Sequence, residues 1–283
     1  MPAPLLVLVA IASVQIGSAV ARTVFDDVGA NGITLLRLAF SGLLLVALVR
    51  PRVRHWSRDQ LAAAALLGLT MGAMNIVFYL SIRTVPLGVA VTVEFIGPLL
   101  VALVQSRRLR DVACVLLAGA GVALLGLDTS ADLPLGGLAL AFLAGLFWGG
   151  YILASARVGR LVQGMDGLAV ALVVAALLAL PFGAEGATRA FTDPRVLLAG
   201  LAVALLSSVV PYGLELAALR RIPTQVFGIL MSLEPAAAAL AGRAVLGQRL
   251  GLREVVALVL VSAASVGITL GRRGDRPPVV SSD

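Results

Sequence analysis

SIRTVPLGVAVTVEFIGPLLVAL (residues 81–103) and ALRRIPTQVFGILMSLEPAAAAL (residues 218–240) line up at a constant shift of 137 residues (218 − 81). At that shift Pro86 meets Pro223, Pro98 meets Pro235 and Arg83 meets Arg220. Matched leucines would mean little between apolar segments, which are alike in composition. Proline pairs with the same 12-residue spacing (98 − 86 and 235 − 223) are a firmer echo. Each stretch also carries one carboxylate deep in an apolar run, Glu94 in the first and Glu234 in the second.

The rest of the chain sets the solvent for these runs. Of its 283 residues 60% are hydrophobic and 13% charged, with a mean hydropathy of +1.03, against roughly 45–50% apolar residues in ordinary soluble domains. Apolar runs of the length needed to cross about 30 Å of hydrocarbon recur from end to end. Ten helices are predicted, at 4–22, 32–50, 60–82, 86–106, 111–127, 135–156, 166–183, 195–219, 223–246 and 251–271. The runs are too long and lack the alternation for barrel strands, the other structure that spans lipid. The expectation is an all-α integral membrane protein with no soluble domain. Residues 5–14 and Ala19-Val20-Ala21 imitate a secretory signal, but no positive charge precedes them and many spans follow, so they read as an uncleaved first helix.

The echo divides the chain into a first five-helix repeat over 1–130 and a second over 131–272, with a polar, proline-containing tail at 273–283 expected to be disordered. An odd number of helices per half turns the second copy upside down, and such 5+5 inverted repeats are a recurring transporter plan. All 22 basic residues are arginines. With both termini cytoplasmic, 14 arginines fall in inside segments and 7 (Arg22, Arg83, Arg189, Arg195, Arg243, Arg249 and Arg253) outside, which favours that orientation. The net charge of +7 therefore reads as membrane topology rather than nucleic-acid binding. Single Cys114 and single His55, the latter among loop arginines, make neither an intrachain disulfide nor a metal site.

Glu94 and Glu234 are the deepest carboxylates. Facing lipid, each would cost on the order of 2.5–3.5 kcal/mol, so each is expected to face the bundle interior or a wet cavity. Loss of water disfavours a charged carboxyl, which makes both candidate proton carriers; the plainer alternative is a hydrogen bond between helices. Pro98 cannot donate to the Glu94 carbonyl, nor Pro235 to that of Met231. Freed carbonyls and bends in corresponding helices point to a binding site, although a proline can equally be only a kink. Asn75 and Tyr79 share a helical face, as do Trp148, Tyr151 and Ser155, and Ser208, Tyr212 and Glu215. For Trp148 and Tyr151 an interfacial belt is the competing role, and Glu215 lies one turn from Arg220 and Arg221, where an ion pair would suffice. Arg37, about six residues into the second predicted helix, could bind a carboxylate, but snorkelling to the outer surface is favoured.

No HExxH, cysteine–histidine cluster, nucleophile elbow or glycine-rich phosphate loop is present, so neither an enzyme nor a cofactor-binding protein is expected. MNIVFYLSIRTVPLGVAVTVEFIGPLLVAL (74–103) and VVPYGLELAALRRIPTQVFGILMSLEPAAAAL (209–240) resemble the signature of bacterial threonine/homoserine exporters, in the EamA-type branch of the drug/metabolite transporter superfamily. VAIASVQIGSAVARTVF (9–25) and NGITLLRLAFSGLLLVALVRP (31–51) are similar to further segments of that family. The resemblance implies ten helices in two inverted repeats, a bacterial inner-membrane location, and export of small neutral amino acids coupled to proton entry. Motif positions present here include Asn75, Tyr79, Glu94, Pro98, Pro211, Tyr212, Glu215, Glu234 and Pro235.

The leading expectation is a secondary exporter with a midplane cavity between predicted helices 3, 4, 8 and 9. Glu94 and Glu234 would hold the substrate ammonium or a proton, with Asn75, Tyr79, Tyr151, Tyr212 and Glu215 as further substrate contacts and Pro98, Pro211 and Pro235 as helix breaks. Alternatives are an exporter of broader, amphiphilic specificity and a non-transporting membrane sensor or subunit. Small-residue faces leave a homodimer open.

Overall fold

The computed structural model of the chain describes residues 2–105, 108–126, 134–219, 221–222 and 224–271. The tail at 273–283, Arg220, Pro223 and the boundary at 130/131 lie outside the described residues. Apart from short turns and single 3-10 turns, the described chain is helical: α1 (Ala3–Thr23), α2 (Phe25–Val49), α3 (Arg58–Ser81), α4 (Leu87–Glu94), α5 (Ile96–Val104), α6 (Leu109–Gly126), α7 (Leu135–Leu161), α8 (Asp166–Ala187), α9 (Pro194–Ala204), α10 (Val210–Leu219), α11 (Thr224–Met231), α12 (Glu234–Leu246) and α13 (Leu252–Gly271). Joined across their breaks, α4–α5, α9–α10 and α11–α12 each make one span, which returns the ten predicted segments. Among the described residues, nine are long and apolar enough to cross a membrane, and the tenth is the 18-residue α6. Leu43, Leu48, Val104, Leu116, Phe191 and Leu252 point outward with more than half their surface exposed, as expected of a bundle whose solvent is lipid. The protein is a multi-pass membrane protein.

The second helix corrects its predicted start. It begins at Phe25 rather than 32 and runs through a kink at Gly29, whose φ of 71° suits glycine alone. Its first turn carries Asp26 and Asp27, which favour a helix N-terminus but read as loop in an apolarity scan. Arg37 thus lies about two helical turns deeper than counted from the sequence.

Three spans are broken, each beside a proline. The helical ladder is interrupted at Phe95, between α4 and α5, and at Ser232–Leu233, between α11 and α12. These breaks are separated by the same 137 residues as the sequence echo (232 − 95). In the third, residues Leu205–Val209 form a π-helical turn just before Pro211. Pro235 corrects an expectation: it sits in the first turn of α12, where a missing N–H costs nothing, and it does not clash with a helix interior.

Small residues let the broken helices come close. A Cβ on Gly97 would collide with the Gly145 carbonyl, and one on Gly145 would run into the Glu94 carbonyl. The Glu94 carbonyl freed by Pro98 is therefore packed against α7, not presented to the cavity as expected. Across the bundle α2 pairs with α8, α3 with α7, α1 with α10, α4 with α12 and α6 with α13. Numbered as spans, these pairs are 2–7, 3–6, 1–8, 4–9 and 5–10, a set that maps onto itself when the first five spans are exchanged with the last five.

Candidate functional site

The pairing leaves a cavity of about 450 Å³ between α1–α5, α7 and α10–α13, inside the size range of small-molecule sites. It is wider than expected, since α1, α2, α7 and α13 join the four predicted walls. Asn75, Glu94, Tyr151, Tyr212, Glu215, Glu234, Pro98 and Pro211 all line it, as do Arg37 and Trp148. Trp148 packs edge-on against Phe95 at 5.1 Å between centroids, and both it and Tyr151 line the cavity. Pro235 and Tyr79 do not line the cavity.

Among the described residues Arg37 is its single basic lining residue. The expected snorkelling does not occur: the side chain is buried, 8% exposed, and points inward. Its position follows from Pro211. A proline at 211 withdraws the N–H that would have bonded the carbonyl of Ser207, four residues back. In the π-helical turn it also leaves the carbonyl of Leu206, five back, without a donor. Arg37 Nη2 donates to the Ser207 carbonyl at 2.9 Å, and Ser13 Oγ of α1 donates to the Leu206 carbonyl at 2.7 Å. Arg37 Nη1 donates to the Tyr79 hydroxyl at 3.2 Å and Nε to Ser208 Oγ at 3.5 Å, with the guanidinium 5.7 Å from the Tyr79 ring centre. Tyr79, fully buried, stands behind Arg37 and positions it.

The acids face this cation from other helices. Glu94 closes α4 and Glu234 opens α12, so each sits at a helix break. Arg37 is within electrostatic reach of Glu94 and Tyr212, and Glu234 is within reach of Glu215 and Glu94. Tyr151 and Tyr212 hydrogen-bond to each other across the cavity. Asn75 uses one amide hydrogen on its own helix, donating to the Met71 carbonyl at 2.8 Å. The sequence reading missed Gln15 and Ser207, polar side chains buried to 4% and 3% exposure on the cavity wall. Their only sequence signal is polarity inside an apolar run. Among the described residues no group of three histidines, cysteines or carboxylates could hold a metal.

A model of the EamA-like transporter family matches residues 135–270. Threonine/homoserine exporter RhtA of Salmonella typhimurium (strain LT2) is 45% identical over 269 residues, covering 94% of this chain and 90% of the relative. The protein of the same name from Escherichia coli (strain K12) is 45% identical over 268 residues with the same coverage. A solved crystal structure with 19% identity matches 96% of this chain and 98% of its own at a TM-score of 0.61, a likeness of fold alone.

Proposed function

Because the chain belongs to the EamA-like transporter family, we propose that it exports small neutral amino acids, threonine and homoserine among them, through the cavity described above. The observation that carries this reading is the charge pattern of the lining, which among the described residues has one cation, Arg37, with the three carboxyls Glu94, Glu215 and Glu234. An amino acid is a zwitterion, and each end needs a partner when it leaves water. Arg37 receives the carboxylate, with planar donors suited to it. Glu94 and Glu234 receive the ammonium, while Asn75, Tyr151, Tyr212 and Glu215 complete the polar wall. The near-full-length similarity to Threonine/homoserine exporter RhtA narrows the zwitterion to that size class.

Export is driven by proton entry. Glu94 and Glu234 are the coupling acids, exchanging a proton for the substrate ammonium, as carboxyl relays do in pumps and transporters. The chain comprises two inverted repeats, 1–130 and 131–272. The sequence echo, the matched helix breaks and the self-mapping span pairs support that reading. Pairs of lining residues separated by 137, such as Asn75 and Tyr212 or Glu94 and Met231, support it further. The protein lies in a bacterial inner membrane with both termini cytoplasmic, as the arginine count favours.

The test is transport of labelled threonine and homoserine in proteoliposomes under an imposed pH gradient. Saturable, gradient-dependent movement of both is expected. Movement of neither by folded protein would remove the exporter reading; movement indifferent to the gradient would remove proton coupling alone.

A further inference from the structure

The cavity reaches one face of the bundle only. Its wall extends to Gln105 at the end of α5, Glu215 late in α10, Phe227 in the first turn of α11 and Thr269 in the last turn of α13. Spans that alternate in direction put these four helix ends on one side, the cytoplasmic side when both termini are cytoplasmic. Toward the outer face, among the described residues, nothing of α4 before Val91 and nothing of α12 beyond Glu234 lines it.

At that outer face α4 and α12 are shut against each other. A Cβ on Gly88 would lie 2.9 Å from both Cα and Cβ of Ala239. The 137-residue shift carries α4 (Leu87–Glu94) onto α11 (Thr224–Met231), and α5 onto the body of α12. The repeat of the α4–α12 seam is therefore the meeting of α11 with α5, and there both helices line the cavity. One seam is closed at the outer face while its mate stands open at the inner one.

A side chain from the second half fastens the closed seam. α4 follows Pro86, which has no side chain to cap it, and the first N–H of a helix has no partner within it. Gln248 Oε1 accepts that N–H, of Leu87, at 3.0 Å. Gln248 is itself anchored: its own N–H donates to the Gly242 carbonyl at 3.1 Å, and Leu246 and Leu250 on either side pack against the core. A Cβ on Gly242 would collide with Oε1, so this glycine makes room for the latch. In the sequence, LRD (109–111) matches LRE (252–254) at a shift of 143 (252 − 109), six more than 137. Gln248 falls in the stretch that holds those extra residues, 243–251 against 106–108, and has no counterpart in the first half.

We propose that Gln248 is the latch of an outer gate made by the α4–α12 seam, and that it holds the resting protein open to the cytoplasm, where substrate loads. Outward opening parts α4 from α12 and strips the Leu87 N–H of its acceptor. With no equivalent of Gln248 in the first half, the latch favours one of the two states over the other. The sidedness rests on the exporter reading and its topology.

The experiment labels a cavity thiol from each side of the membrane. In a Cys114→Ala background, Met74→Cys places the thiol on the cavity wall, well along α3 toward the outer face. A membrane-impermeant maleimide is applied to right-side-out and inside-out vesicles, without substrate. The parent probe is expected to react fast from the cytoplasmic side and slowly from outside. Gln248→Met keeps the side-chain length but removes the acceptor, and should raise the outside rate about three- to tenfold, the factor one hydrogen bond carries. Gln248→Glu keeps an acceptor oxygen, and a negative charge suits a helix N-terminus, so its outside rate should stay at or below the parent's. Gly88→Ala pushes a methyl into Ala239 and should raise the outside rate with Gln248 in place, which keeps the seam testable if Gln248→Met does not fold. An outside rate unmoved by Gln248→Met, or raised equally by Met and Glu, overturns the latch. A parent labelled as fast from outside as from inside overturns the resting state. Labelling needs no substrate, so a failure to move threonine or homoserine removes the exporter reading and leaves the gate standing.

Discussion

Replacing Pro211 with alanine tests whether the proline works by clearing carbonyls for Arg37. The alanine brings back an N–H aimed at the Leu206 and Ser207 carbonyls, which now accept from Ser13 Oγ at 2.7 Å and Arg37 Nη2 at 2.9 Å. In an ordinary helix interior a proline-to-alanine change gains about 3 kcal/mol. Here both carbonyls are already satisfied, so the gain shrinks toward that of one net hydrogen bond, about 1 kcal/mol. The Arg37 contact is charge-assisted and worth about 1.5–3 kcal/mol. A carbonyl oxygen has two lone pairs and can still be shared, so roughly half of that is lost, on the order of 1 kcal/mol. A factor of about five in KM for threonine follows. The assay pairs a threonine saturation curve in proteoliposomes with thermal unfolding of the same preparation. The expected result is a KM raised three- to tenfold with a melting temperature unchanged or higher. An unaltered KM together with higher stability would refute the reasoning, since the proline would then be a kink with no bearing on Arg37.

Four further predictions address the charges and the packing. Arg37→Met removes the one basic group among the described lining residues, and threonine affinity measured by competition should fall about ten- to a hundredfold, the equivalent of one charge-assisted hydrogen-bond set. Glu94→Gln and Glu234→Gln separate coupling from binding: the variant that loses gradient-driven accumulation but keeps substrate counterflow marks the coupling acid, and full accumulation by both would exclude them from that role. Gly145→Ala drives a methyl into the Glu94 carbonyl backbone and should cost about 1–3 kcal/mol of stability, read by thermal unfolding. Gly119→Ala, where nothing lies within 4 Å, should be neutral or stabilising by up to about 1 kcal/mol.

The spans were legible because each one alone must satisfy the bilayer, so apolar length betrays it without knowledge of its neighbours. The inward direction of Glu94 and Glu234 was legible on the same ground: a midplane carboxylate facing lipid is too costly to expect. What depended on a second helix was not. Arg37 reads as a snorkelling residue where apolarity alone puts the start of α2 at 32, because Gly29 with its two upstream aspartates hides the first turns. Tyr79 has the right face and spacing for a substrate contact, yet a guanidinium from α2 stands in front of it. The freed carbonyl at Glu94 reads from the sequence as a ligand acceptor, but Gly145 lets α7 approach closely enough to cover it. The carbonyl freed by Pro211 meets no such glycine, and Arg37 takes it.

The echo between the halves is most informative where it fails. At the 137-residue shift, lining positions pair as Val14 with Tyr151, Gln15 with Ile152, Phe78 with Glu215 and Glu94 with Met231. In each pair one member is polar and the other is not. Arg37 has Val174 as its mate and Glu234 has Gly97, so neither the basic group nor either of the deepest acids is repeated in the other half. Matched backbones give matched helix breaks and a cavity with similar walls. A perfect repetition of side chains would give that cavity two equivalent ends, which is the wrong shape of potential for a zwitterion. Alternating-access movement asks for halves alike in form, whereas orienting an amino acid asks for halves unlike in charge. The sequence meets both demands by repeating Pro86 as Pro223, Pro98 as Pro235 and apolar bulk across the shift, while placing each ionisable lining group on a single side of it.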